Sequence, residues 1–337
     1  MKYQEEKTDA NASKQLYLDG SASLIAQRQA EGARARKAYV KDIFAEPERY
    51  RMEFRRMLGW PLVDHETKGL PTVASCEKLS EEDGYTLYRM GFEILDGLVM
   101  TGLFFRRDGE GKKPLVIVQH GGLGTPERIS GVLGTTGNYC DMLTRVIDRD
   151  VHAFAPQLLL WSGEYQVEFD RQKIDARLKR VGSSITAVEV YGIMRILDWF
   201  EAQEYVSTLG MVGMSYGGFY ALYTAAIDMR LVSTHSCSFF NSRDAVPWQD
   251  WTWNNSAFLF DDAEIAALVW PRRITLNIGT SDALFDWKIG VESFDRLKAM
   301  CADAGVDTDW AELVLFDAPH EFNRDDAPID RVINDLK

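Results

Sequence analysis

Cysteine, histidine and long apolar segments are scarce in this sequence. Its 337 residues include 4 cysteines and 5 histidines. The cysteines are widely separated and form neither a C-x-x-C pair nor a set with the spacing of metal ligands, so we expect reduced or buried thiols. No window approaches the roughly 18 uninterrupted apolar residues of a membrane-spanning helix.

Positive charge is also in short supply. Lysine and arginine number 38 against 51 aspartates and glutamates, which gives a formal net charge of −13. Because the field of such a chain repels phosphate, we expect neither a nucleic-acid partner nor binding to an anionic membrane. The first residues, 1–7, are polar and are not followed by the apolar segment of a signal peptide, so a cytoplasmic location is expected.

The chain divides by pattern into a helical arm and a larger region. Residues 1–71 are largely charged and helical in period, and Pro47 is suited to the first turn of a helix that ends at Gly59. From residue 72 onward the pattern becomes strand-like. We therefore predict an N-terminal helical arm over 1–71 and a larger second domain over 72–337.

Alternating strands and helices predict an α/β fold for the second region. Two β-like segments, 88–95 and 98–107, flank Asp96-Gly97, a favoured two-residue hairpin turn. Short apolar segments then alternate with helical stretches, of which 187–204 is the clearest. This alternation predicts a parallel sheet covered on both faces. The apolar strands are predicted at 115–118, 151–155, 209–214, 234–240, 274–278 and 313–316.

A G-x-S-x-G motif spans residues 213–217, at the end of a predicted strand and before a helix-like stretch. A serine on such a tight strand-to-helix turn takes strained dihedrals, and side chains two positions to either side would collide with the turn. Glycine at both positions removes the collisions. The motif therefore predicts that Ser215 is a nucleophile, and the helix that starts there points backbone N–H groups at an oxyanion beside it.

A second glycine-rich segment, residues 121–124, follows the strand predicted at 115–118. It lacks the lysine of a Walker loop and the spacing of a dinucleotide fingerprint. Small residues here let the loop approach the strand-to-helix turn at Ser215, which we call the elbow. They also offer a second oxyanion N–H beside that of Tyr216. We choose Gly122 as this donor, with Gly121 and Leu123 as alternatives, and a purely structural glycine turn is the competing interpretation.

An acid and a base follow later strands. Asp282 comes directly after the predicted strand 274–278, at the carboxyl edge where catalytic groups gather in open α/β sheets. Asp286 is the rival acid, and helix capping is the alternative role for either aspartate. His320 follows the strand at 313–316, whereas the other histidines lie in strands or earlier in the chain. The order Ser215, Asp282, His320 is the nucleophile, acid and base order of one serine-hydrolase scaffold.

From about Tyr85 onward the chain resembles an α/β-hydrolase. Residues 206–218 are similar to the elbow of the dienelactone-hydrolase, acetyl-esterase and prolyl-oligopeptidase branch. Dienelactone hydrolases carry a cysteine in place of Ser215, and oligopeptidases add a propeller for which the helical arm is too short.

The resemblance implies a mostly parallel twisted sheet with helices on both faces. It also implies a serine esterase that cleaves a small or medium ester through an acyl-enzyme, without a metal or organic cofactor. Two alternatives remain, a peptidase or amidase and an inactive hydrolase fold used for binding. The oligomeric state is open, and a homo-oligomer is compatible with the sequence.

The substrate pocket is predicted from aromatic residues at the carboxyl edge of the sheet. Three tryptophans lie within the six-residue segment 248–253, which follows the strand before the candidate acid. A fourth tryptophan follows an earlier strand. They are interpreted as a cap over the substrate, with packing under a long loop as the equal alternative. The charged run 170–180 predicts a solvated helix face, with Arg171 or Arg177 as a partner for a substrate carboxylate. The predicted substrate-binding residues are Trp161, Trp248, Trp251 and Trp253.

Overall fold

A computed structural model of the chain describes residues 1–160 and 167–337. Within these residues, nine strands form one mixed sheet. The strands are β1 (Thr72–Glu82), β2 (Tyr85–Leu95), β3 (Leu98–Arg107), β4 (Lys113–Gln119), β5 (His152–Pro156), β6 (Val206–Met214), β7 (Leu231–Cys237), β8 (Arg273–Gly279) and β9 (Ala311–Phe316).

Helices precede the sheet and connect its strands. The clearest predicted helix is confirmed as α6, and the helix after the elbow as α7. The helices are α1 (Lys7–Tyr39), α2 (Pro47–Leu58), α3 (Pro126–Ile129), α4 (Met142–Ile147), α5 (Arg171–Lys179), α6 (Ile185–Glu201), α7 (Tyr216–Ile227), α8 (Ser256–Leu259), α9 (Asp262–Ala267), α10 (Trp287–Ala304) and α11 (Ala327–Leu336).

The strand order is β1-β2-β3-β5-β4-β6-β7-β8-β9. Strands β1 to β3 are antiparallel, β3 pairs antiparallel with β5, and the remaining neighbours are parallel. The predicted hairpin is confirmed, with Gly97 at φ 74 between β2 and β3. The predicted mostly parallel sheet is confirmed as well. Strand β1 was not predicted, because nearly all of its side chains are exposed and it shows no apolar face.

Two buried clusters cover the two faces of the sheet. One includes apolar side chains of α2, α6, α7 and α9, and the other includes those of α4 and α11. All residues of α7 are buried. The elbow helix is therefore enclosed along its whole length, and its position relative to the sheet is fixed by packing.

The N-terminal helices differ in how they meet this core. Helix α1 exposes Leu16 and Tyr17 and contacts the rest of the chain through its C-terminal part, where Arg36 pairs with Glu264 at 3.2 Å. Helix α2 begins at Pro47 and ends before Gly59, as predicted. Its Phe54 ring lies 5.2 Å from that of Tyr223 in α7. Across the described ranges, no helix combines the length and apolar character needed to cross a bilayer.

The packing of α2 gives a stability prediction. Phe54 is fully buried, so Phe54→Ala leaves a cavity and should lower the free energy of unfolding of the whole chain by about 3–5 kcal/mol. Met52, on the same helix and partly exposed, is the matched control, and Met52→Ala should change it by less than about 0.5 kcal/mol. Urea unfolding followed by circular dichroism measures both. Equal, small effects would mean that α2 does not belong to the sheet's core.

Candidate active site

Ser215 lies at the turn between β6 and α7 with φ 57 and ψ −122. This conformation is strained for a residue with a side chain. A Cβ on Gly213 would lie 2.1 Å from the carbonyl oxygen of Gly217, and a Cβ on Gly217 would lie 2.0 Å from that of Gln119. Only glycine fits at either position, so the structure contains the turn that the motif predicts.

Backbone hydrogen bonds hold Ser215 at the carboxyl edge of the sheet. Its N–H donates to the Cys237 carbonyl at the end of β7, at 2.8 Å, and its own carbonyl accepts from the Phe219 N–H at 2.9 Å. The first bond ties the turn to the neighbouring strand, and the second starts α7. Helix α7 begins at Tyr216, so its N-terminal end lies at this edge of the sheet.

The loop after β4 reaches the elbow. A Cβ on Gly121 would lie 3.1 Å from the Cβ of Ser215, and a Cβ on Gly122 would lie 3.5 Å from the Tyr216 ring. The N–H of Gly121 donates to the Tyr139 hydroxyl at 3.1 Å. Because that hydrogen bond engages Gly121, the geometry favours Gly122 over it as the second oxyanion donor. The oxyanion roles of Tyr216 and Gly122 stay predictions.

The two candidate acids have different partners. The Oδ2 atom of Asp282 lies 2.7 Å from Nδ1 of His320, and the Asp282 side chain is fully buried. Its Oδ1 accepts the N–H of Leu284 at 2.8 Å, which fixes the carboxylate. Asp286 instead caps α10 and accepts the N–H of Lys288 at 2.9 Å. The structure therefore brings Asp282, and not Asp286, into contact with His320.

The segment that carries His320 packs against the same strand end as the elbow. The carbonyl of Glu321 accepts a hydrogen bond from the Ser238 hydroxyl at 2.9 Å, directly after β7. Cys237, the preceding residue, accepts the N–H of Ser215. Ser215 and His320 thus belong to segments that meet at the carboxyl end of β7.

Three of the other histidines are buried. Burial lowers the pKa of His120 to about 4, that of His152 to about 4 and that of His235 to about 3. A ring nitrogen of His120 accepts the Leu158 N–H at 3.2 Å, and one of His152 accepts the Arg107 N–H at 3.0 Å. Both rings therefore serve as neutral hydrogen-bond partners in the core.

The predicted tryptophans fall into two groups. Trp251 and Trp253 are buried, and their rings stack on Phe219 at 4.9 Å and 6.4 Å, so their burial favours the packing interpretation. Trp248 is half-buried and stacks on Tyr216, the residue after Ser215, at 5.5 Å and 15°. Trp248 remains the candidate pocket wall. Trp161 lies outside the described residues.

The charged run is less solvated than the sequence predicts. Arg171 is buried, and its guanidinium donates to Asp250 at 2.7 Å and to Glu189 at 3.0 Å. Those contacts occupy the group, so it is not a partner for a substrate carboxylate. Arg177 is exposed on the same helix. Asp250 and Glu189 were not predicted as members of the site, and their only sequence signal is a carboxylate inside an otherwise apolar or aromatic stretch.

No protein-family model matches the chain, and no curated relative does. Solved structures do match. A protein from Bacteroides fragilis NCTC 9343, provisionally assigned as an acetyl xylan esterase, has a TM-score of 0.66 at 16% identity, covering 82% of this chain and 76% of that one. The glucuronoyl esterase from Solibacter usitatus has a TM-score of 0.62 at 13% identity, with coverages of 85% and 91%.

A third match is acetyl xylan esterase 1 from Thermoanaerobacterium sp. JW/SL YS485. It has a TM-score of 0.56 at 15% identity and covers 87% of this chain and 94% of that one. Such low identities establish a shared fold and nothing finer. Together with the sheet order and the helices on both faces, they show that this chain has an α/β-hydrolase fold, which confirms the predicted fold class.

The different partners of the two aspartates give a prediction about the acid. Asp282→Asn preserves shape but favours the wrong imidazole tautomer, so it should lower kcat for an ester by at least about a hundredfold. Asp286→Asn is the matched control, since asparagine caps helices as well as aspartate does, and it should lower kcat by less than about tenfold. Steady-state kinetics on folded variants with one ester compare them. The reverse ranking would assign the acid to Asp286.

Proposed function

We propose that this chain is a serine hydrolase that cleaves carboxylic esters of small or medium substrates. The observation that carries the proposal is the Asp282–His320 hydrogen bond beside the strained turn of Ser215. A nucleophile on a strained turn, a histidine at the same strand end and a buried carboxylate on that histidine form the constellation for acyl transfer. The names of the similar structures, which include acetyl xylan and glucuronoyl esterases, support ester substrates.

The proposed reaction begins with attack of the Ser215 hydroxyl oxygen on the ester carbonyl carbon. His320 takes the hydroxyl proton at Nε2, while Asp282 accepts the Nδ1–H and holds the productive tautomer. The carbonyl oxygen becomes an oxyanion, and the N–H groups of Tyr216 and Gly122 are its proposed donors. Each well-placed donor stabilises the transition state by about 3 kcal/mol.

The second half of the reaction releases both products. His320 gives its proton to the alcohol oxygen as the bond to the acyl carbon breaks, which leaves the acyl group on Ser215. A water molecule then loses a proton to His320 and attacks the acyl carbon, and the carboxylic acid departs as the serine oxygen recovers the proton. This scheme requires no metal or organic cofactor.

We also propose that the enzyme acts in the cytoplasm. All four cysteines are free thiols, and Cys76 is exposed. Exposed free thiols persist in reducing compartments, which supports this placement.

The nucleophile is tested by Ser215→Ala. The variant should fold, melt close to the wild type and hydrolyse p-nitrophenyl acetate at the background rate, because no other group replaces the attacking oxygen. Labelling with a fluorophosphonate probe should disappear with it. Unchanged turnover in the variant would refute the mechanism. A wild-type protein that neither reacts with the probe nor cleaves esters would instead support a binding protein, and faster cleavage of aminoacyl p-nitroanilides would support a peptidase.

Substrate choice is tested at Trp248. Because its ring stacks on Tyr216, Trp248→Ala should change the ratio of kcat/KM for hexanoyl over acetyl p-nitrophenyl esters by at least about fivefold. Trp199 is the matched control, since it is also half-buried but packs on Phe92 and Phe200 near the opposite edge of the sheet. Trp199→Ala should leave that ratio within about twofold. Equal shifts in both variants would exclude a pocket role for Trp248.

A further inference from the structure

Buried charged and phenolic side chains form a cluster next to the Ser215 turn. They come from α5, α6, α7 and a 3-10 turn at Gln249–Trp251, and each is at most 4% exposed. Burial of charge costs free energy unless the groups are paired and hydrogen-bonded. We call this set the Asp250 cluster, and its members are Arg171, Glu189, Tyr216, Tyr220 and Asp250.

Asp250 is the member that connects to the elbow. Its carboxylate accepts from Nε of Arg171 at 2.7 Å and from the Gln172 amide at 3.0 Å. The Tyr216 hydroxyl donates to both carboxylate oxygens, at 3.0 Å and 3.2 Å. Burial and the neighbouring carboxylate raise the pKa of the Tyr216 phenol, so it remains a protonated donor. An ionised carboxylate can only accept hydrogen bonds, and each of these partners donates one to it.

Glu189 forms the other half of the cluster. It accepts from Nη2 of Arg171 at 3.0 Å, from the N–H of Leu159 at 2.8 Å and from the Tyr220 hydroxyl. Arg171 therefore bridges two carboxylates. Tyr220 lies one turn beyond Tyr216 on the same helix, so its backbone does not adjoin Ser215. The two tyrosines have similar burial and chemistry, and they differ in whether their backbone adjoins Ser215.

The contact between Asp250 and Tyr216 also orients the turn that carries Trp248 and Trp251. Asp250 lies between Trp248 and Trp251, and the two rings are 5.5 Å and 4.4 Å from the Tyr216 ring. The phenol of Tyr216 is thus held at its hydroxyl by Asp250 and at its face by tryptophan. Because Tyr216 directly follows the strained Ser215, a shift of its side chain is transmitted to the first turn of α7.

We propose that Asp250 is a positioning residue that, through the Tyr216 hydroxyl, holds the Tyr216 main-chain N–H and the Trp248 ring in place beside Ser215. This inference rests on the proposed esterase function. It assigns a task to a buried carboxylate that does not touch substrate. A role in stability alone would lower the melting temperature without changing turnover per active site, so the two roles make different predictions.

The experiment compares Tyr216→Phe with Tyr220→Phe. Each removes one buried hydroxyl from the same helix, and only the first removes the link between Asp250 and the elbow. We expect Tyr216→Phe to lower kcat per phosphonate-labelled Ser215 by about tenfold, less than the loss of an oxyanion donor because the N–H is displaced and not deleted. Tyr220→Phe should leave kcat within about twofold, whatever it does to the melting temperature.

Asp250→Asn provides the second variant, with kcat and KM measured separately. It should reproduce the loss in kcat, and the double variant with Tyr216→Phe should be no worse than the more impaired single variant, because both substitutions act on the same contact between Asp250 and Tyr216. If Tyr216→Phe does not fold, the kcat of Asp250→Asn relative to that of the wild type decides the matter. Equal kcat in wild type and Asp250→Asn, or an equal loss in Tyr220→Phe, would overturn the inference. A wild-type protein without labelling or turnover would instead refute the proposed function.

Discussion

The site depends on a close approach between two backbones, the first turn of α7 and the end of β4. A Cβ on Gly217 would lie 2.0 Å from the Gln119 carbonyl oxygen, so any larger residue would force the elbow helix away from the sheet. The same approach brings the loop after β4 to Ser215. This close approach requires a strained backbone conformation at Ser215. Such a conformation persists only where the surrounding structure holds the residue in place.

Those surroundings act from several sides. Strand β7 accepts the N–H of Ser215, the buried residues of α7 fix the helix axis, and the Asp250 cluster fastens the side chain of the next residue. Each contribution uses a different kind of interaction. Apolar packing alone is weakly directional, whereas hydrogen bonds to a carboxylate define an orientation. This difference explains why the otherwise apolar helix α7 places two tyrosine hydroxyls in a buried charged cluster.

The parts of the fold that follow local rules were predictable from the sequence. Gly213, the Asp96-Gly97 turn and the apolar central strands depend on neighbours within a few residues. Gly217 also belongs to a recognisable local motif, although the close approach that requires it is to Gln119 of β4. Which of Asp282 and Asp286 contacts His320 depends on the path of the loop, because both follow β8 closely. The Asp250 cluster was not predictable, since Arg171 lies in a run with the composition of a solvated face and its partner Asp250 is 79 residues away. Tryptophan composition likewise does not separate a buried ring such as Trp251 from a pocket wall.

The order of the strands along the chain has a consequence for how the proposed activity would arise and be lost. The elbow needs β4, β6 and β7, whereas the segments with Asp282 and His320 follow β8 and β9, which add to one side of the sheet in that order. During synthesis the turn that carries Ser215, the proposed nucleophile, therefore precedes the segments with Asp282 and His320. Strand β9 is the outer strand on this side of the sheet and is only half-buried, and such edges open before the core does. Fraying of that single strand would displace His320, the proposed base, while most of the molecule remained folded, so the proposed catalysis would be lost early in unfolding.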